Sequence, residues 1–69
     1  MMAIRRLNGE KVRELRMTRI GSQEQLASLL GVSVFTINRW ETGRMIPRST
    51  HFVKLVEVLR CDSEEEILL

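Results

Sequence analysis

The feature that most restricts this chain is a glycine, Gly31, with a capped helical pattern on either side of it. Upstream, Ser22 to Leu30 opens with Ser22 as an N-cap and Gln25 three residues later, the capping-box arrangement in which each residue satisfies a free amide of the other. Leu26, Ala27, Leu29 and Leu30 share a face of this helix, and Gly31 suits the left-handed position that ends it. Downstream, Ser33 caps a second helix by accepting from an amide of its first turn. The pattern therefore predicts two short helices joined by only Gly31 and Val32.

On a helical wheel the stretch Ser33 to Thr42, SVFTINRWET, divides into two sides. Ile37, Trp40 and Glu41 fall on one and are expected to anchor it. Phe35, Asn38, Arg39 and Thr42 fall on the other, with Val34 flanking. That outer set suits nucleic acid: Arg for guanine or phosphate, Asn for adenine, and apolar Val and Phe for a thymine methyl. A solvated face seldom presents an aromatic ring, so the outer side is either an interface or an anomaly.

The run QEQLASLLGVSVFTINRW, Gln23 to Trp40, followed by Glu41-Thr42-Gly43 and Pro47, resembles the Cro and phage-repressor type of helix-turn-helix protein, the XRE family. Small Ala27, Gly31 eight residues after Gln23, Ile37 six after Gly31, and the W-E-T-G run carry the likeness together. Each has a physical reason: Ala27 lets two helices approach, Gly31 makes the turn, and Ile37 with Trp40 inserts beneath.

Sixty-nine residues predict one small domain, 1–69, with no room for a separate catalytic or effector domain. With only Phe35, Trp40 and Phe52 as aromatics, the core must come mainly from Leu, Ile, Val and Met. The net charge is +2, but residues 1–48 hold nine basic residues against four acidic, and residues 49–69 hold two against five. A basic first part fits one face meeting a polyanion; an accidental asymmetry of a solvated surface is the alternative. Cys61 is the single cysteine, so no intrachain disulfide forms and a reducing compartment is compatible; it reads as a small, partly buried residue near a helix end. His51 has no cluster of metal-ligating residues at suitable spacing and reads as a surface or first-turn residue. No apolar run of membrane length and no signal-peptide core occurs, which predicts a soluble, cytoplasmic protein.

Residues 1–7 read as a possible flexible arm, in which Arg5 and Arg6 either reach phosphates or are solvated, and Ile4 and Leu7 fold back as a lid or staple. Asn8 caps helix 1, Gly9 to Arg19, with Val12, Leu15, Arg16 and Arg19 on one stripe. Gly43 and Pro47 stop helix 3 and make a loop, in which Met45 and Ile46 are expected to seal the core. Ser49 or Thr50 caps helix 4, whose inward stripe is Phe52, Leu55, Val56 and Leu59, flanked by Val53 and Val58. This stripe is wide enough to need a cover, either a fifth helix or a second subunit. Ser63 and Glu66 form a second capping-box pattern that would open the fifth helix. Its terminal Ile67, Leu68 and Leu69 fit packing on helix 4, a dimer contact, or truncation of a longer chain.

The resemblance implies an all-α, compact five-helix repressor-like domain with helices 2 and 3 as the helix-turn-helix. It implies that Arg16 and Glu41 are paired across the domain as a structural unit. It also implies that helix 3 lies in the major groove, with Val34, Phe35, Asn38 and Arg39 at base edges. Gln23, Thr36, Thr42, Arg44 and Arg48 would contact the DNA backbone, Thr36 alternatively a base at the rim. Two departures stand out: Ile20-Gly21 where many relatives place Gly and then an apolar residue, and apolar Val34-Phe35 where many carry polar residues. The second shifts expected readout toward thymine methyls. The reading is thus a sequence-specific double-stranded DNA-binding regulator, a repressor acting as a homodimer on a palindromic operator. A protein-interaction or antitoxin-type module built on the same fold is the alternative. No acid-base pair, Cys-His pair, metal spacing or phosphate-cradling loop suggests an enzyme, a cofactor or a small-molecule substrate.

Overall fold

In the computed structural model, which describes residues 6–69, four α-helices are followed by a short 3₁₀ turn. Helix α1 spans Gly9–Arg19, α2 Gln23–Leu30, α3 Val34–Glu41 and α4 Ser49–Val58, and the turn spans Glu64–Ile67. The first three helices start at the caps that the sequence offers. Asn8 accepts from Lys11 N at 3.1 Å ahead of α1. The Ser22–Gln25 capping box closes reciprocally, Gln25 N donating to Ser22 Oγ at 3.1 Å and Ser22 N to Gln25 Oε1 at 2.7 Å. Ser33 Oγ accepts from Thr36 N at 3.1 Å ahead of α3. Gly31 adopts φ 70°, a conformation open to glycine at little cost, and Val32 N then closes back on Ala27 O at 3.0 Å.

One core draws on every element: Leu7, Val12 and Leu15, then Leu26, Ala27 and Leu30, then Ile37 and Trp40, then Leu55, Leu59 and Ile67. Burying each of the larger of these side chains contributes about 1.5–3 kcal/mol. Ile20, Val32, Phe52, Val56, Val58 and Cys61 pack half-buried around it. Helix α2 lies against α3 and α4, and α1 against α3 and the turn. The approach of α1 to α3 is close at one place. A Cβ on Gly9 would stand 2.5 Å from the Glu41 carbonyl oxygen and 2.6 Å from that of Trp40, so only glycine fits there without a shift.

Several expectations are corrected. Leu29 is 50% exposed, because the buried stripe of α2 centres on Leu30 and leaves Leu29 about 100° round the helix. Met45 and Ile46 are exposed, at 38% and 59%, and so do not seal the core, whereas Trp40 and Pro47 on either side of them are buried. Neither Ser49 nor Thr50 caps α4. The helix begins at Ser49, its N-cap is Arg48, and no side chain bonds to its first amides. Its stripe is partly covered by the 3₁₀ turn, while Val53 stays exposed.

The fifth helix is a single 3₁₀ turn, and its predicted capping box does not form: the Glu66 carboxylate accepts from Asp62 N, and Ser63 makes no side-chain cap. An α-helix would need backbone groups that are engaged elsewhere. Asn8 N donates to Ile67 O at 2.8 Å, Leu69 N donates to Arg6 O at 2.8 Å, and Leu7 and Leu68 form an antiparallel bridge. This clasp carries Ile67 into the core and buries Leu7 beneath it. Ile4 and Arg5 lie outside the described residues.

Helix α4 ends in a left-handed residue that is not glycine: Arg60 has φ 57°, with Cys61 N returning to Val56 O at 3.1 Å and Arg60 N to Glu57 O at 3.0 Å. Arg19 reaches across from α1 and caps the same end, its Nη1 donating to Leu59 O at 2.9 Å and Arg60 O at 3.1 Å. Cys61 sits half-buried beside this end, and burial first, then the Glu66 carboxylate, pushes its thiol pKa up, so the thiol stays protonated. His51 lies in the first turn of α4, its ring 5.9 Å from that of Trp40 and tilted by 48°.

Candidate nucleic-acid interface

The site is built on α3, whose inner face is fixed twice. Ile37 and Trp40 insert into the core. Glu41, also buried, holds a two-pronged pair with Arg16 of α1: Nε donates to Oε2 at 2.6 Å and Nη2 to Oε1 at 3.1 Å. The remaining guanidinium nitrogen, Nη1, donates to Gly21 O at 2.6 Å, and Gln23 Nε2 donates to Glu41 Oε1 at 3.1 Å. One carboxylate thus ties the end of α3 to α1 and to the start of α2. A buried ion pair is tolerated when its donors and acceptors are bonded in this way.

With its inner face held, α3 turns the opposite face to solvent. Phe35 is 65% exposed and Val34 38%; Asn38 and Arg39 are exposed beside them. The Arg39 guanidinium lies over the Phe35 ring, 4.4 Å from its centroid. Thr36 is half-buried at the rim, its hydroxyl 3.0 Å from Ser33 Oγ. Thr42 donates its hydroxyl to Asn38 O at 2.9 Å, while Arg44 and Arg48 are exposed in the loop after α3. The exposed face thus carries apolar and amide groups at Val34, Phe35 and Asn38, with the cations Arg39, Arg44 and Arg48 beside and after them. Such a face can hold phosphates at its edges and read base edges between them.

Among the described residues no group of His, Cys, Asp and Glu is placed to hold a metal ion, and no helix is long and apolar enough to cross a membrane. The profile of the helix-turn-helix family matches residues 12–65. The chain belongs to the Cro and phage-repressor type of helix-turn-helix family. The fold is similar to that of the P22 c2 repressor in complex with a synthetic operator, with a TM-score of 0.80 and 27% identity over 90% of this chain and 94% of that one. It is also similar to the restriction-modification controller protein C.AhdI from Aeromonas hydrophila, with a TM-score of 0.74 and 31% identity over 84% of this chain and 86% of that one. The DNA-binding domain of the P22 c2 repressor in solution gives a TM-score of 0.76 and 28% identity, over 91% of this chain and 82% of that one. Comparison with curated proteins gives no match.

In this helix-turn-helix chain the helix pair is α2 and α3. The structure brings Val34, Phe35, Asn38 and Arg39 onto one exposed face and sets Gln23 beside Glu41, inward of that face. The Gln23–Glu41 bond has no signature in the sequence, because the two residues are 18 apart and on different helices. The stacking of Arg39 on Phe35 was accessible from spacing alone, since residues four apart on a helix are neighbours.

Proposed function

We propose that this chain is a sequence-specific double-stranded DNA-binding transcriptional regulator that represses by occupying an operator. The observation that carries the reading is the division of α3: one face is buried and clamped by Arg16 and Gln23 through Glu41, and the other offers Val34, Phe35, Asn38 and Arg39 to solvent. A helix fixed so firmly presents its outer side chains in one register, which base reading requires. Val34 and Phe35 meet thymine methyls, Asn38 an adenine edge, and Arg39 a guanine. Thr36, Thr42, Arg44 and Arg48 position the backbone. Gln23 opens α2, so a phosphate at that helix N-terminus meets its backbone amide while its side-chain amide holds Glu41. Two copies on an inverted repeat supply the specificity that one small surface lacks. The similarity to a repressor in complex with a synthetic operator supports this assignment; within this reading the chain acts on DNA in the cytoplasm and is not an enzyme.

The exposed ring of Phe35, with Met45 and Ile46 in the following loop, favours a second reading as a protein-interaction or antitoxin-type module. Selection of duplexes from a random pool at about physiological salt separates the two. Recovery of a half-site repeated in inverted orientation, with centres about 10 bp apart, is the expected outcome. Salt-sensitive binding without enrichment leaves only a phosphate binder, and no binding moves the search to a protein partner.

A further inference from the structure

We propose that Phe35 and Arg39 act as one stacked unit that reads a C5-methylated pyrimidine beside a guanine, so that the site prefers thymine or 5-methylcytosine there over uracil and unmethylated cytosine. This rests on the DNA-binding reading of α3. The two side chains stand four residues apart, on the same side of the helix and about 6 Å apart along its axis. The stack brings the guanidinium to 4.4 Å from the ring centroid, close to the rise of about 3.4 Å between successive base pairs. Ring and guanidinium are therefore spaced to meet neighbouring pairs.

The chemistry of the two halves differs. Among the described residues no carboxylate pairs with Arg39, so its N–H fork is free for the O6 and N7 acceptors of guanine. Phe35 offers only carbon, at 65% exposure, and the pyrimidine C5-methyl is the apolar group that the major groove presents. Cytosine acquires the same methyl at the same position when it is methylated, which makes it equivalent to thymine toward the ring. The stack also orients the guanidinium before DNA arrives, so the guanine contact depends on the ring.

The test starts from the half-site recovered by selection, with each thymine changed in turn to deoxyuridine and Kd measured for the intact chain. One thymine adjacent to a guanine is expected to bind about fourfold more weakly as deoxyuridine, the loss of one buried methyl. At that position, with its partner base changed to guanine, 5-methylcytosine is expected to bind about fourfold better than cytosine. Both effects should vanish in Phe35→Ala. Phe35→Leu should keep the methyl effect and lose part of the preference for guanine, because an aliphatic chain touches the methyl but cannot stack on Arg39. Neither side chain belongs to the core, so these variants remain folded by thermal unfolding. A methyl effect that survives Phe35→Ala, or no thymine sensitive to deoxyuridine, overturns the proposal while leaving specific DNA binding standing. Failure to recover any site overturns both.

Discussion

Arg16 is the residue on which the site most depends without touching it. It satisfies Glu41 with two donors and Gly21 with a third, and its removal leaves a carboxylate enclosed with only Gln23 beside it. Breaking a buried pair from one side costs about 3–5 kcal/mol. Arg16→Met is therefore expected to lower Tm by more than 10 °C, at roughly 4–8 °C per kcal/mol for a domain of this size. Arg16→Met combined with Glu41→Leu should recover part of that loss, because no charge is then stranded; thermal unfolding of both variants checks the pair. Gly9 makes a contrasting case at the same scale. Alanine there gains about 1 kcal/mol of helix propensity, but its Cβ meets backbone oxygens of α3 at 2.5 and 2.6 Å. Backbone cannot swing aside, so Gly9→Ala is expected to destabilise by about 1–3 kcal/mol, read from the urea midpoint. The Arg16–Glu41 pair was implied by family likeness. The need for Gly9 was not legible, because a glycine at a helix start commonly serves no contact at all, and here the demand comes from an element 32 residues away.

At the scale of elements, the caps decided what could be read. Asn8, Ser22, Gln25, Gly31 and Ser33 act through backbone groups within four residues of themselves, so their pattern survives any tertiary arrangement. Where backbone groups are claimed from a distance the pattern fails, as at Ser63 and Glu66, whose turn competes with the clasp to residues 6–8. The end of α4 shows another non-local effect: Arg60 holds φ 57° although it carries a side chain, stabilised by the Arg19 cap on Leu59 O and Arg60 O. Arg60→Gly should relieve about 1 kcal/mol of that strain and raise Tm by several degrees. Helix α3 and its following loop separate in the same way by the class of contact. Arg39→Ala is expected to lose about 1–3 kcal/mol of discrimination at one base pair, and Arg44→Ala to weaken all sequences alike and lower the salt slope by about one. Titrations of specific and random duplexes at several salt concentrations distinguish them; equal weakening by Arg39→Ala would remove it from the readers.

At the scale of the whole molecule, charge and packing are distributed differently. The basic excess of residues 1–48 includes Arg39, Arg44 and Arg48 around the exposed face, while the acidic residues 64–66 sit in the turn that closes the core. Ile67 links the turn to the rest, fully buried among residues of α1 and α4. Ile67→Ala is expected to cost about 2–5 kcal/mol, a large share of the stability available to so small a domain, and chemical unfolding measures it. The clasp has a further consequence during synthesis. Roughly 60 residues separate Asn8 from Ile67, which at about 5–20 residues per second are some 3–12 s of translation. Until Ile67 to Leu69 clear the ribosomal exit, the start of α1 lacks its closing partner, so a nascent chain holds α2 and α3 on an unfinished scaffold.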